Sequence, residues 1–127
     1  MEKALRYELN KIAEINNKIY PTNAPEGKAP PYLVYILSSY KRIKTFEGRT
    51  NSTDSSYLLN ILAGSYSEMK SLTEKVEDCI NSFLQNEVGN EGIYISDLTV
   101  HNISEQYEHE LKLYRGIIDV TFYYEGV

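Results

Sequence analysis

The amino-acid sequence predicts an α+β fold in which two helices pack on one face of a mostly antiparallel sheet of about four or five strands. Three observations lead to this prediction. Two segments carry apolar residues at helical spacing, the C-terminal third alternates as strands do, and a continuous apolar run follows Pro30-Pro31. The predicted order of elements is α-β-β-β-α-β-β. With 127 residues, the chain is expected to form a single domain spanning 1-127.

The N-terminal segment predicts a helix of about three turns that ends near Asn16. Its apolar residues recur at helical spacing, at Leu5, Leu9 and Ile12. The span from Pro21 to Pro31 follows, in which each proline fixes its own φ and favours extended geometry in the residue before it. We therefore predict an ordered, extended crossing that delivers the chain to a strand.

Three strands are predicted before the second helix. Tyr32 to Leu37 is apolar throughout, which is typical of a strand covered on both faces, either within one chain or after assembly. Tyr40 to Glu47 alternates loosely and predicts a second strand or hairpin arm, and Tyr57 to Ala63 predicts a third. Gly48 to Ser56 is small and polar without periodicity, so we expect a long flexible loop there.

The second helix has the clearest pattern in the chain. Ser65 and Glu68 have the spacing of a capping box, in which two side chains satisfy backbone donors at the start of a helix. The stretch from Asn86 to Gly92 is rich in turn residues and should follow the end of the helix. The apolar stripe consists of Met69, Leu72, Val76, Cys79, Ile80 and Phe83.

The C-terminal third predicts two long strands, Ile93 to Ile103 and Leu113 to Tyr124, joined by a polar turn region from Ser104 to Lys112. In the second of these strands, Gly116 allows a bulge or the close approach of another element. For the first strand, simple alternation places Tyr94, Leu98 and Val100 on one face and Ile93, Ile95 and Ile103 on the other. For the second, it places Tyr114, Ile118, Val120, Phe122 and Tyr124 on one face and Arg115, Ile117, Asp119, Thr121 and Tyr123 on the other.

Composition narrows the choice of partners. The net charge of −5 argues against sequence-independent nucleic-acid binding, which needs a broad basic surface. Tyrosine is frequent (12 residues) while tryptophan is absent, and tyrosine suits both strand packing and protein interfaces. One segment is basic, with cations at Lys41, Arg42, Lys44 and Arg49. It is either the solvated face of a hairpin or a contact with an acidic surface or a DNA backbone.

No arrangement of residues in the sequence indicates catalysis, so we predict that the chain is not an enzyme and binds no metal or other cofactor. His101 and His109 lack the converging ligands of a metal site. Ser65 is better explained as a helix cap than as a nucleophile, and Cys79 is the only cysteine, on an apolar stripe. With neither an apolar leader nor a stretch long enough to span a membrane, the expected compartment is the cytoplasm.

A set of segments in fixed order suggests a family. The set comprises Ile19-Tyr20-Pro21, Ala24-Pro25, Pro31-Tyr32-Leu33-Val34-Tyr35, the strand-to-helix passage Leu58 to Met69, and the final stretch from Leu113-Tyr114-Arg115 through Phe122-Tyr123-Tyr124-Glu125. In this order, over nearly the whole chain, the set resembles the tail-completion (tail-terminator) proteins of long-tailed bacteriophages and prophages. One departure is Leu58-Leu59-Asn60-Ile61-Leu62, where the family often carries Val, Trp or Asp.

The resemblance implies a structural virion protein that caps the head-proximal end of the tail tube, ends tube polymerisation and joins the tail to the head connector. The implied partners are further copies of the chain in a closed ring, expected to be a hexamer, the tail-tube protein, and a head-completion or connector protein. No membrane and no sequence-specific nucleic acid is implied, although such a ring leaves a path for DNA. The implied location is the bacterial host cytoplasm during assembly and then the tail–head junction of the virion.

For this role, the residues expected at protein interfaces are Tyr40, Lys41, Arg42, Lys44, Phe46 and Arg49, with Tyr32 and Tyr35 from the apolar strand. Two alternatives remain open from the sequence. One is another neck or head-completion adaptor of the same kind of virion. The other is a small bacterial ligand-binding or enzyme domain with helices on a sheet, because a fold alone does not decide function.

Overall fold

The computed structural model describes residues 1–25, 27–44 and 51–125. Helix α1 is followed by a single 3₁₀ turn (Ala13–Ile15), and helix α2 lies between the third and fourth strands. The elements are α1 (Glu2–Leu9), β1 (Ile19–Pro21), β2 (Tyr32–Lys44), β3 (Asn51–Ala63), α2 (Tyr66–Asn81), β4 (Glu87–Val88), β5 (Ile93–Glu108) and β6 (Leu113–Glu125).

The strands form one sheet in the order β1-β2-β3-β6-β5-β4. Among the strands of the described residues, β1 runs parallel to its neighbour and the other neighbouring strands are antiparallel. The predicted α+β class and mostly antiparallel sheet are thus confirmed, but the sheet has six strands. Over the described residues, the two strands predicted within 32–47 are one strand, β2, with a register shift between Leu37 and Ser39; residues 45–47 of the second lie outside the described part of the chain. The additional strands, β1 and β4, are too short for periodicity to reveal.

Both helices pack on the same face of the sheet, as predicted. The main core joins apolar residues of α1 and α2 to the inward-facing residues of the four long strands. Gly116 in β6 lies directly under α2: a Cβ there would sit 2.4 Å from Thr73 Oγ1 and 3.0 Å from Met69 Sδ. The predicted close approach at Gly116 is therefore confirmed. The largest fully buried side chains of the molecule include Leu5, Leu9, Leu33, Leu59, Ile61, Leu72, Ile80, Phe83 and Phe122.

A smaller core lies on the opposite face of the sheet. Tyr32, Val34, Leu62 and Leu113 form it, with Ala24 of the crossing segment packed against them. The predicted crossing from Pro21 to Pro31, of which residue 26 lies outside the described part, is not extended throughout: Thr22 and Gly27 have left-handed backbone conformations, with φ of 65° and 81°. These bends are needed because β1 and β2 run parallel, so the chain must turn back between them.

Helix α1 is shorter than the predicted three turns. The Asn10 side chain accepts a hydrogen bond from the Asn17 backbone N–H (3.0 Å), and Asn16 Nδ2 donates to the Asn10 carbonyl (2.8 Å). These bonds offer the backbone an alternative to further helical turns, as asparagine side chains often do. The apolar spacing therefore continues past the end of the helix.

Helix α2 begins as predicted. The Ser65 hydroxyl accepts a hydrogen bond from the Glu68 backbone N–H at 3.2 Å. The Glu68 carboxylate reaches back to the N–H of Gly64 (3.3 Å), one residue before the expected Ser65 donor. The N-terminal cap of this helix is thus made by the two side chains that the sequence indicated.

The prediction of a flexible loop from Gly48 to Ser56 is wrong over residues 51–56, which form the first half of β3. Its earlier part, within 45–50, lies outside the described residues. The small polar side chains fit here because neighbouring strands satisfy them: Ser55 Oγ lies 2.6 Å from the Tyr124 hydroxyl, and Ser56 Oγ lies 2.7 Å from Thr121 Oγ1. Cross-strand pairing therefore decides the structure of a segment that has no apolar pattern of its own.

The predicted faces of the first C-terminal strand are also wrong, whereas those of β6 are confirmed. Strand β5 shifts register between Ile95 and Asp97 and again between Val100 and Asn102. Each extra residue reverses the alternation, so Ile93, Ile95, Leu98 and Val100 all pack toward the main core. The strand also continues to Glu108, through most of the predicted polar turn.

Candidate assembly interface

The described residues contain no group of three or more His, Cys, Asp or Glu side chains placed to hold a metal ion. None of the helices in the described ranges is long and apolar enough to cross a membrane. His101 is exposed on β5, with its Nε2 2.7 Å from Thr121 Oγ1, which is a cross-strand contact rather than part of a cluster.

Cys79 lies on the inner side of α2, next to α1. Its Sγ is 3.9 Å from the Glu8 carbonyl oxygen, to which the thiol donates a weak hydrogen bond. Burial raises the pKa of the Cys79 thiol to about 11. The thiol therefore stays protonated near neutral pH and lacks the thiolate that a nucleophilic cysteine needs.

The residues expected at an interface fall into three groups. Tyr32 and Tyr35 are 6% and 3% exposed and pack within the chain's own two cores, so we leave them out of the proposed surface. Phe46 and Arg49 lie outside the described residues, and of Lys44 only the backbone, at the end of β2, is described. The exposed candidates are Tyr40, Lys41 and Arg42, which we call the basic end.

The basic end is not a flat patch on one face of the sheet. Lys41 and Arg42 are consecutive in β2, so their side chains project from opposite faces. Tyr40 is 51% exposed and shares its face with Arg42. Neither cation belongs to an ion pair within the described residues. A partner that touches both cations must therefore lie along the outer edge of β2, where both faces are within reach.

Aromatic side chains cluster at the other end of the sheet. The Tyr114 ring lies 6.0 Å from the Tyr66 ring and 4.9 Å from the Tyr107 ring, measured between centroids, and both pairs are edge-to-face. We call these three residues the aromatic end. Leu111, in the adjoining turn between β5 and β6, is 54% exposed. Tyr66 and Tyr107 are 50% and 41% exposed, and exposed tyrosine is a residue type that protein interfaces favour.

Charged groups border the aromatic end. Glu105 accepts hydrogen bonds from Lys70 Nζ (2.7 Å) and from the Tyr66 hydroxyl (3.0 Å). The Lys70 and Tyr66 bonds lower the pKa of the Glu105 carboxyl, and the Glu105 bond raises the pKa of Lys70. The carboxylate thus holds Tyr66 in place above β5, so that the ring faces Tyr114.

Sequence patterns missed the aromatic end because its members come from α2, β5 and β6, and Tyr107 lies in the predicted polar turn. The fold also separates the two ends. Lys41, Asp54, Tyr123 and Asp97 are in register across one end of the sheet, whereas Tyr114 and Tyr107 are in register near the other. The distance along β6 from Tyr123 to Tyr114 is roughly 30 Å at the usual rise per residue of a strand.

A partly buried polar network around Arg115 lies on the face of the sheet away from the helices. Arg115 donates to Asn60 Oδ1 at 2.8 Å and to Glu108 Oε1 at 2.7 Å. Asn60 in turn donates to the Val34 carbonyl at 3.3 Å, so the bonds span the four long strands. The Arg115 guanidinium is therefore bonded to Asn60 and Glu108 of its own chain, whereas Lys41 and Arg42 form no ion pair within the described residues.

Comparison with known proteins shows what this fold is similar to. No family model matches the sequence, and no curated protein matches it either. Among solved structures, the fold matches a chain from the virion of a native gene transfer agent particle, with a TM-score of 0.73 at 11% sequence identity. The match covers 99% of this chain and 95% of that one. The two chains therefore share one fold over nearly their full lengths.

Proposed function

We propose that this chain is a structural protein of a phage-like particle and acts there as the tail terminator. In this role it forms a ring that caps the head-proximal end of the tail tube, stops tube growth and joins the tail to the head connector. The observation that carries the proposal is the fold shared with a gene transfer agent virion chain over nearly the whole of both chains. The resemblance of the ordered sequence segments to tail-completion proteins supports the finer role.

The distribution of surface chemistry is consistent with an adaptor. A protein that joins two assemblies needs separate contact surfaces, and this chain has a basic end and an aromatic end on opposite ends of its sheet. The two ends differ in charge and in apolar character, so they fit different partners. The proposed partners are the tail-tube protein at one end and a connector or head-completion protein at the other.

The proposed role requires no catalysis and no cofactor. The protein would assemble in the bacterial host cytoplasm and remain at the tail–head junction of the particle. A ring also requires a contact between copies that closes on itself, which for identical subunits in head-to-tail order joins two different surfaces of the chain.

Deletion of the gene from the genome that encodes it, followed by electron microscopy of the particles, tests the proposal. We expect tails of irregular, increased length that are not joined to heads, and we expect a plasmid copy to restore normal particles. Tails of normal length without attached heads would instead indicate a head-completion or neck adaptor. Normal particles without the protein would contradict both roles.

A binding experiment separates the same alternatives. The purified chain should cosediment with assembled tail tubes and label one end of each tube in images. Binding to the connector with no binding to the tube would favour the head-completion role. A rise in melting temperature with a small metabolite, and no binding to either assembly, would favour a ligand-binding domain.

A further inference from the structure

Two strands of the sheet have an outer edge with no neighbouring strand in the described part of the chain. Strand β4 pairs with β5 only at Ile93 and Tyr94, which leaves the edge of β5 open from Ser96 to Glu108. Strand β1 pairs with β2 only at 33–35, which leaves the edge of β2 open from Leu37 to Lys44. Open edges present backbone N–H and C=O groups that pair readily with another strand.

The open edges of β2 and β5 have the strand directions needed to pair with each other in neighbouring copies. Strands β2, β3, β6 and β5 are neighbours in this order, and each pair is antiparallel. Strands β2 and β5 of one chain therefore run in opposite directions. If a second copy is placed beside the first in the same orientation, its β2 meets the first copy's β5 as an antiparallel pair. Such a pair has the same geometry as the rest of the sheet.

Residues in register across the four long strands form rows that run from β2 to β5. The residues at the two ends of a row are chemically complementary. Lys41 of β2 is in register with Asp54, Tyr123 and then Asp97 of β5. When rows continue into the next copy, Lys41 of one copy lies opposite Asp97 of its neighbour, on the face away from the helices. In the next row, Tyr40 lies opposite Leu98 on the helix side. Opposite charges and an aromatic–aliphatic pair are both favourable across strands.

Bulges limit where this pairing is regular. On β5, the regular stretch between the two register shifts is Asp97 to Val100. On β2, the regular stretch of the open edge begins at Ser39, after the shift next to Leu37. When the rows continue into the next copy, the two regular stretches overlap over three rows, in which Thr99, Leu98 and Asp97 lie opposite Ser39, Tyr40 and Lys41. The bulges therefore confine regular pairing to these three rows.

We propose that copies of this chain join edge to edge, with β5 from Asp97 to Thr99 in one copy antiparallel to β2 from Ser39 to Lys41 in the next. The proposal rests on the ring assembly proposed above and names the surface that closes it. Each open edge is occupied by a second copy of the chain. The β2 edge and the β5 edge are complementary in strand direction, in register and in charge, so each can pair with the other edge of another copy. The edge contact also explains how one partner reaches both Lys41 and Arg42.

Disulfide trapping tests the pairing directly. Ser39 and Thr99 share a row, and within one copy they are separated by three strand spacings, roughly 14 Å, too far for a disulfide. The variant Cys79→Ser, Ser39→Cys, Thr99→Cys should yield, on mild oxidation at high concentration, a ladder of linked oligomers that ends at one size. The control, Cys79→Ser, Ser71→Cys, Thr99→Cys, replaces Ser39 by an exposed residue of α2 and should yield no ladder.

Charge exchange tests the register. Lys41→Asp and Asp97→Lys should each weaken self-association about tenfold at low salt, and the double variant should recover most of the loss. The matched control, Lys3→Asp on exposed α1, should leave association unchanged. A double variant as weak as the sum of the single variants would overturn the proposed register.

The outcomes separate this inference from the tail-terminator role. Rings in particles or by native mass spectrometry, without a disulfide ladder, would overturn the edge pairing and leave the role standing. A closed ladder combined with normal particles after gene deletion would overturn the role and leave the pairing standing. A chain that stays monomeric at high concentration and on tail tubes would overturn the pairing.

Discussion

The inner strands, β3 and β6, and the outer strands, β2 and β5, have similar lengths but differ in what covers them. Phe122 in β6 is fully buried, whereas Ile103 in β5 and Tyr40 in β2 are 38% and 51% exposed. The inner strands have partners on both edges and the helices on one face. The outer strands run beyond that cover and keep open edges. The buried core is thus concentrated in the centre of the sheet, and the proposed contacts with other chains lie at its edges.

Truncation of an inner-strand residue should give the largest effect on stability. The Phe122 ring lies 5.8 Å from the Phe83 ring and 6.2 Å from the Tyr57 ring, at the centre of the main core. Phe122→Ala should lower the free energy of unfolding by about 3–5 kcal/mol, because it leaves a cavity that the core cannot fill. On the outer strand, Ile103→Ala should cost less than about 1 kcal/mol. Urea denaturation followed by circular dichroism measures both, and equal losses would contradict the contrast.

A smaller loss is expected where α2 crosses the sheet. Gly116→Ala places a methyl group against Thr73 Oγ1 and Met69 Sδ, so the helix must shift, and the expected cost is about 1–3 kcal/mol. The control is Gly64→Ala, because a Cβ at Gly64 has no atom within 4 Å and its N–H bond to Glu68 is kept. Equal midpoints of thermal unfolding for the two variants would show that α2 does not constrain Gly116.

Alkaline pH should lower the free energy of unfolding through Tyr35, which is buried in β2. Burial, reinforced by the hydrogen bond from the Tyr35 hydroxyl to the Glu2 carboxylate, raises the pKa of Tyr35 from 10.0 to about 12. The unfolded chain therefore releases this proton first, and the free energy of unfolding should fall as pH rises from about 10 to about 12. Tyr35→Phe should flatten the decline without abolishing it, because burial also raises the pKa of Tyr57. An unchanged slope in Tyr35→Phe, in urea titrations at several pH values, would contradict this assignment.

The same contrast explains which parts of the fold could be predicted. Helix α2 and strand β6 each keep the same side toward the core along their length. A single period therefore describes each pattern: the apolar stripe from Met69 to Phe83 for α2, and the alternation that begins at Leu113 for β6. Strand β5 has no such uniform environment. Two bulges reverse its alternation, and neither is marked by glycine or proline.

Other features depended on contacts between distant segments. The first half of β3 is polar in sequence, and its structure follows from partners in β2 and β6, such as Tyr124 for Ser55. Of the candidate interface, the sequence indicated the exposed cations Lys41 and Arg42, because charge is local information. It could not indicate that they flank an open edge, or that three tyrosines converge at the other end, because both depend on strand order.

The smallest change in stability, and the sharpest test of the outer edge, is expected from reversing the charges of the basic end. Lys41 and Arg42 are exposed, so Lys41→Glu, Arg42→Glu should shift the free energy of unfolding by less than about 0.5 kcal/mol. Charges at the rim of an interface act mainly on association rate, so assembly should slow, most strongly at low salt, where screening is weak.

Light scattering during assembly, at low and at high salt, provides the measurement for this variant. A control with the same change in net charge, Lys3→Glu, Lys28→Glu, alters exposed lysines away from the edge and should assemble at the wild-type rate. If the two double variants are slowed equally, net charge rather than the edge governs assembly. If neither is slowed at low salt, the basic end is a solvated surface of the hairpin, and the contact between copies must lie elsewhere.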